Sequence, residues 1–341
     1  MGPGSALRTV RDDTRISEQK MDFDLSDEQR LLKDSVERLL ADRYDFDARK
    51  KHAATPEGFS LDLWAQYAEL GLLALPFAEE HGGFGGGPVE TMIVMEAFGG
   101  ALALEPYLAT VILSGGLIQQ AGSDAQKADL LPKIAGGSLR LAFAHAERQA
   151  RYDLADVAVK ARREGTGWVL DGEKSLVLHG DTADKLIVSA REHGARRDHG
   201  GIALFIVDAK AEGVSRRGYP TQDGMRAAEI TLAHVKVGPE NVLGKPGEAM
   251  PVIERVVDVA IAALCAEAVG AMGAMHAQTV EYLKTRKQFG THIGAFQALQ
   301  HRSVEMFVAL EQARSMTMFA TMMAQEEDAA ERHKAIAGAK V

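Results

Sequence analysis

The residues best able to do chemistry lie in one apolar stretch, residues 251–276, where charge is confined to Glu254, Arg255, Asp258 and Glu267 before His276. Glu267 has Ala263, Cys265, Ala266, Ala268 and Ala271 for neighbours. A carboxylate among such residues on a buried helix is desolvated, its pKa rises, and it gains the character of a general base near neutrality. The competing reading is a structural carboxylate hydrogen-bonded to a facing helix, and that reading is preferred. Asp258 follows Glu254 by one helical turn with Arg255 in reach of either, the pattern of a salt-bridged helix entrance. Cys265 on the same helix reads as a small core hydrophobe. Downstream, Arg286-Lys287-Gln288-Phe289-Gly290 reads as a helix end, with basic residues at the negative dipole and a glycine stop. Its functional alternative is Arg286 as a fork for a phosphate group.

Other chemistries are excluded more firmly. The loop Gly82–Gly87 has a Gly-x-Gly pair at Gly83 and Gly85, but Pro88 follows and no strand feeds it, so it reads as a turn between helices. The histidines lack metal-ligand spacing, and no Ser/His/Asp arrangement is present. A net charge of −9 without a basic stripe argues against a nucleic-acid partner. A single cysteine excludes an intrachain disulfide framework and fits a reducing, cytoplasmic setting. No run approaches the roughly 18 uninterrupted apolar residues of a membrane span.

The elements that position these residues follow a clear order. Residues 1–20 read as a tag remnant and polar tail outside the fold. Arg8, Arg11 and Arg15 suggest a transit peptide, but Asp12, Asp13 and Glu18 argue against one. Met21 opens the patterned chain, and residues 21–140 read as a helical domain. Ser26-Asp27-Glu28-Gln29 forms a capping box before Leu31, Leu32, Val36, Leu39 and Leu40. Helices also fit residues 64–73, 90–98 and 108–120, with breaks at Gly71 and Pro76. Residues 141–248 change to short Val- and Ile-rich runs split by turns such as Asp171-Gly172, an antiparallel β domain. Residues 249–341 return to helical periodicity, first as a helix apolar all round and hence buried in a bundle.

Taken together, Leu70-Gly71-Leu72-Leu73, Glu79-Glu80-His81-Gly82-Gly83, Glu147 after an apolar strand, Asp171-Gly172-Glu173-Lys174, Arg286-Lys287-Gln288-Phe289-Gly290 and Phe296-Gln297 resemble acyl-CoA dehydrogenases in order and spacing. The resemblance is nearest to small subunits of the pimeloyl-CoA dehydrogenase type, which pair with a larger homologous subunit. It implies an α+β fold with an N-terminal helical domain, a middle β domain and a C-terminal helical bundle. It also implies FAD, an acyl-CoA substrate, an electron-transfer partner, and assembly as a homo-oligomer or heteromer. In that reaction a carboxylate removes an α-proton while a hydride leaves the β-carbon for the flavin. By resemblance Arg286, Gln288, Phe289 and Gln297 contact the flavin dinucleotide across a dimer interface, and Phe143, Ala146 and Glu147 lie near the isoalloxazine. Asp258 matches a substrate-contact position. The pattern departs at Ala146–Asp153, and at Leu176-Val177-Leu178, where Trp-Ile-Thr is usual. Ala260 and Ile261 stand where some members carry the base and most carry a buried Arg. The C-terminal bundle reads as incomplete, because the family's usual base and His-Gly-Gly loop would fall after Val341. These departures raise a second class of function, a non-catalytic partner subunit.

Overall fold

The computed structural model describes residues 25–340; the expectations for residues 1–20 and for Met21 lie outside them. Helix α1 (Asp27–Arg43) opens with the expected capping box, in which the Ser26 hydroxyl accepts from the Gln29 N–H and the Gln29 side chain accepts from the Ser26 N–H. Then come α2 (Phe46–Ala53), α3 (Leu61–Glu69), α4 (Pro88–Ala101), α5 (Leu108–Ala121) and α6 (Asp124–Ala135). The first eight residues of α5, Leu108–Gly115, wind as a π-helix. After α3 the chain turns at Gly71, whose φ of 74° is open to glycine because no Cβ clashes there. Two helices are hidden in the sequence pattern: α2 has no buried residue to make an apolar stripe, and α6 contains Pro132, which reads as a stop.

The middle segment holds β1 (Leu141–Ala144), β2 (Lys160–Glu164), β3 (Gly167–Leu178), β4 (Lys185–Arg191), β5 (Ile202–Asp208), β6 (Val214–Pro220), β7 (Arg226–Val237) and β8 (Val242–Leu243). They form one sheet in the order β6-β7-β3-β2-β4-β5-β8, with β1 also on β4. Most pairs are antiparallel as expected, but β1 runs parallel to β4, and β2 meets β4 in parallel at Lys160 and Arg191. A strand that enters from a helical block is free of the antiparallel constraint a hairpin imposes. β6, with Arg216 and Arg217 exposed or half-buried at the sheet edge, carried no apolar signal. β5 shows why the sheet is central: Ile202, Leu204 and Ile206 join the core shared with the helices, while Ala203, Phe205 and Val207 join a second core on the other face. The two-residue strand period thus sorts one strand between two cores.

Helices α7 (Met250–Thr285), α8 (Gln297–Met323) and α9 (Ala329–Lys340) complete the chain. α7 is long and apolar enough by composition to cross a membrane, although Asp258 and Glu267 interrupt its apolar run, and half of its most apolar window is packed inside the protein. It crosses α4 at backbone contact: a Cβ added to Gly99 would lie 1.8 Å from the Glu267 carbonyl oxygen, and one added to Gly270 would lie 1.9 Å from that of Glu96. Each glycine is the socket for the other helix's backbone, so both are required at this crossing.

Candidate functional site

The end of β1 and the middle of β3 form a buried polar network. Lys174 falls in inward register with Trp168 and Leu170 along β3, so its ammonium is carried into the sheet. It donates to Glu147 Oε1 at 2.7 Å, Ser189 Oγ at 2.9 Å and the His145 carbonyl at 3.0 Å. Glu147 also accepts from the Ala158 N–H at 2.8 Å, the Val159 N–H at 3.2 Å and the Gln149 amide at 2.6 Å. Burial alone would raise the Glu147 carboxyl; Lys174, Gln149 and Ala158 outweigh it and hold it below its ordinary value. Complete burial, against the attraction of Glu147, brings the Lys174 ammonium down to about 8. Burial and then the charge on Lys174 push His145 to about 3, so its ring is neutral. That ring meets Ser189 Oγ at 2.8 Å and stacks on Phe143 at 5.1 Å.

A shelf adjoins this network. The Ser175 N–H donates to the Ala146 carbonyl at 2.8 Å, which ties β3 to the end of β1. The next residue, Leu176, sits at a register shift in β3, has φ of 52° and is 53% exposed. A leucine in the left-handed region at a bulge is a strained, solvent-facing residue of the kind found where a strand is re-aimed toward a ligand. Phe143 and Leu178 pack half-buried at the edge of the shared core, and Ala146 is exposed. Sequence reasoning named Phe143, Ala146 and Glu147 but missed Lys174 as their anchor; the signal was a lysine in inward register on a strand.

The Arg286 segment is not the glycine-stopped helix end expected. α7 ends at Thr285, and Lys287-Gln288 pairs with Thr291-His292 as a hairpin, β9 and β10. Phe289 and Gly290 form its two-residue turn, with φ of 53° and 80°. Two positive φ values are what such a turn requires to match strand twist. Phe289 is 92% exposed, its ring edge-on to Phe296, and Arg286, Gln288 and Gln297 are exposed as well. Among the described residues no hydrogen bond or ion pair joins this hairpin to the strand-end network.

The α7 candidates differ from expectation. Asp258 does not pair with Arg255; buried to 2%, it binds Arg332 Nε at 3.1 Å and His333 Nδ1 at 2.9 Å, both from α9. Partners 74 and 75 residues away could not be read from local spacing. Glu267 is half-buried, and among the described residues its carboxylate has no hydrogen bond to a facing helix, because the close α4 crossing there is made by backbone. Burial, then the charge on Asp223, raises its carboxyl above the ordinary value. Cys265 is half-buried, and burial raises its thiol. No group of three potential metal ligands occurs among the described residues.

Family models for the acyl-CoA dehydrogenase N-terminal, middle and C-terminal domains match residues 26–138, 142–236 and 250–341. The chain is 31% identical over 311 residues to acyl-CoA dehydrogenase FadE12 of Mycobacterium tuberculosis, covering 89% of this chain and 78% of that protein. Among solved structures it is similar to the steroid ACAD Tcur3481-Tcur3483, at a TM-score of 0.81 and 30% identity, covering 92% of this chain and 81% of that one. It is also similar to the FAD complex of PigA, at a TM-score of 0.85 and 25% identity, covering 94% and 86%. Three domains matched in sequence order, and a relative aligned across most of both chains, lead to one conclusion: this chain belongs to the acyl-CoA dehydrogenase family.

Proposed function

We propose that this chain is one subunit of an FAD-dependent acyl-CoA dehydrogenase, acting in the α,β-desaturation of an acyl-CoA thioester, with a flavin site completed by a second chain. The observation that carries the reading is the separation of its two halves. Phe143, Ala146 and Leu176, at the joined ends of β1 and β3, are apolar side chains that suit contact with a flat ring. The exposed Arg286 guanidinium, with no carboxylate partner among the described residues, suits a diphosphate, and the exposed Phe289 ring suits an adenine. In one chain the two are not joined, so a second copy or a larger homologous subunit must bring its own hairpin to the shelf. FAD is the family's cofactor, and when bound it supplies the acceptor for the substrate hydride. This chain's part is to hold the ring on the shelf and to fix the diphosphate. Through the Glu147–Lys174 pair it also ties the end of β1 to β3.

A second reading, a non-catalytic partner within a heteromer of the pimeloyl-CoA dehydrogenase kind, is favoured by the state of the carboxylates. Glu147 is bound by Lys174, Asp258 is bound by Arg332 and His333, and Leu178 offers no hydroxyl beside the shelf. Large exposed apolar residues on α8, including Val304, Phe307, Val308 and Phe319, provide a face for either partner. Visible absorbance and dye-linked dehydrogenation, with and without a larger homologue, separate the readings. A yellow chain active alone, or a complex whose flavin is lost when this chain carries Arg286→Ala, supports the first; a colourless chain whose larger partner keeps its flavin and activity regardless supports the second. Arg286→Ala should lower flavin affinity and weaken assembly, and unchanged values for both would remove the hairpin from the site.

A further inference from the structure

A cavity of about 220 Å³ lies among the helices, and neither the strand-end residues nor the Arg286 hairpin lines it. Its walls are Phe77, Val111 and Ile112 from the first helical block and Val256 and Val259 from the first turns of α7. Gly86, Gly87 and Gly116 line it too. Exposed Gln120 and Gln325 mark its mouth.

Two polar groups on this cavity are available to a ligand. Arg255 is half-buried and pairs with neither carboxylate expected to bind it: Asp258 is held by Arg332 and His333, and Glu254 lies 3.6 Å from the exposed His199. Among the described residues Arg255 makes no ion pair. Gln119 donates its amide N–H to the Pro76 carbonyl at 3.0 Å, which fixes the orientation of the amide. Its Oε1 is buried and has no donor among the described residues. A buried polar atom such as Gln119 Oε1 is rarely left unmatched, and the Arg255 guanidinium, without a carboxylate partner among the described residues, lines the same space.

We propose that this cavity binds a short aliphatic hydroxycarboxylate: the carboxylate on Arg255, the chain against Phe77, Val111 and Val259, and the hydroxyl donating to Gln119 Oε1. Size sets the chain length. A 150 Å³ apolar cavity accepts benzene, so by proportion 220 Å³ holds about nine non-hydrogen atoms. A six-carbon hydroxy acid has that many. The inference stands independently of the dehydrogenase reading, since it uses neither the shelf nor the hairpin.

The test is calorimetric titration of the purified full chain with 3-hydroxyhexanoate, 6-hydroxyhexanoate, hexanoate and hexane-1,6-diol. At least one hydroxy acid should bind with one-to-one stoichiometry, about threefold or more tighter than hexanoate, the ordinary worth of one neutral hydrogen bond. The diol should bind roughly tenfold or more weakly than that hydroxy acid, because it lacks the charge-assisted contact. Arg255→Met should bring the hydroxy acid down to the level of the diol while leaving the diol unchanged. Val259→Phe should fill the cavity and abolish all binding; should that variant misfold, Arg255→Met at the half-buried position still decides. Equal binding of diol and acid, an Arg255→Met variant with wild-type affinity, or no heat from any probe up to roughly 10 mM would overturn the proposal.

Discussion

Replacing Lys174 with methionine strains the strand-end network where it has least slack. The side chains of Lys174 and Glu147 are 0% and 3% exposed, so solvent cannot take over for the lost charge. Stranding one member of a buried ion pair costs about 3–5 kcal/mol. Glu147 keeps the Ala158 and Val159 N–H groups and the Gln149 amide, which places the loss in the lower part of that range. The His145 carbonyl and Ser189 hydroxyl also lose a donor, adding about 1 kcal/mol. A total near 4 kcal/mol is a large share of the roughly 5–15 kcal/mol that holds a folded protein together. Urea unfolding at pH 7 should therefore show a lower midpoint with little change in slope. The pH dependence has a definite sign. Glu147 titrates lower in the folded chain than unfolded, so its contribution is present above its unfolded pKa and is lost as pH falls through the folded value. The gap between wild type and variant should accordingly narrow on acidification below about pH 4.5, the ordinary carboxylate value. A companion Glu147→Leu, Lys174→Met double variant should be more stable than Lys174→Met alone. A loss under about 1 kcal/mol at pH 7, or a gap indifferent to pH, would refute the account.

Gly270→Ala drives a methyl group to within 1.9 Å of the Glu96 carbonyl, and should cost about 2–3 kcal/mol despite alanine's better helix propensity. Gly273→Ala meets nothing within 4 Å and should stabilise by up to about 1 kcal/mol; thermal melts that fail to separate the two would contradict the crossing. Glu267 titrates above its ordinary value, so its contribution is full below the unfolded pKa and lost as pH rises through the folded one. Glu267→Gln should then leave activity intact and gain in relative stability as pH rises past that value, whereas loss of turnover with normal folding and flavin content would make Glu267 the base. Arg332→Met strands Asp258 with only His333, and about 3 kcal/mol of stability should go with it; urea unfolding unchanged from wild type would mean that α9 is not held by this pair.

The sequence was most informative where local rules act alone. The Ser26 capping box, the break at Gly71 and the all-round apolarity of α7 each follow from residues within a few positions of one another. The partners of Asp258 lie one helix hairpin away, and the sockets at Gly99 and Gly270 are made by a helix far along the chain, so no window contains them. Phe289-Gly290 is a case where two local readings compete. A glycine after a helix suits a stop and a hairpin turn equally, and only the pairing of Gln288 with Thr291 decides. At the candidate site, Phe143, Ala146 and Glu147 were named from family resemblance, and the structure places them together at and after the end of β1. The lysine beneath them needed the strand register, which a bulge at Leu176 obscures.

The crossing of α4 and α7 also bears on how the chain is made. Gly99 leaves the ribosome about 170 residues before the Glu267 backbone that fills its socket, an interval of roughly 10–35 s at ordinary elongation rates. Throughout it, the surface of α4 around Met92 cannot yet be covered by α7, while the intervening strands are still emerging. The α4–α7 crossing joins the first and third of the family's domains, so it forms only once α7 has been made. Production of this chain should be sensitive to whatever shields nascent apolar surface, and slowing synthesis at codons after the sheet should lower soluble yield more than slowing it before.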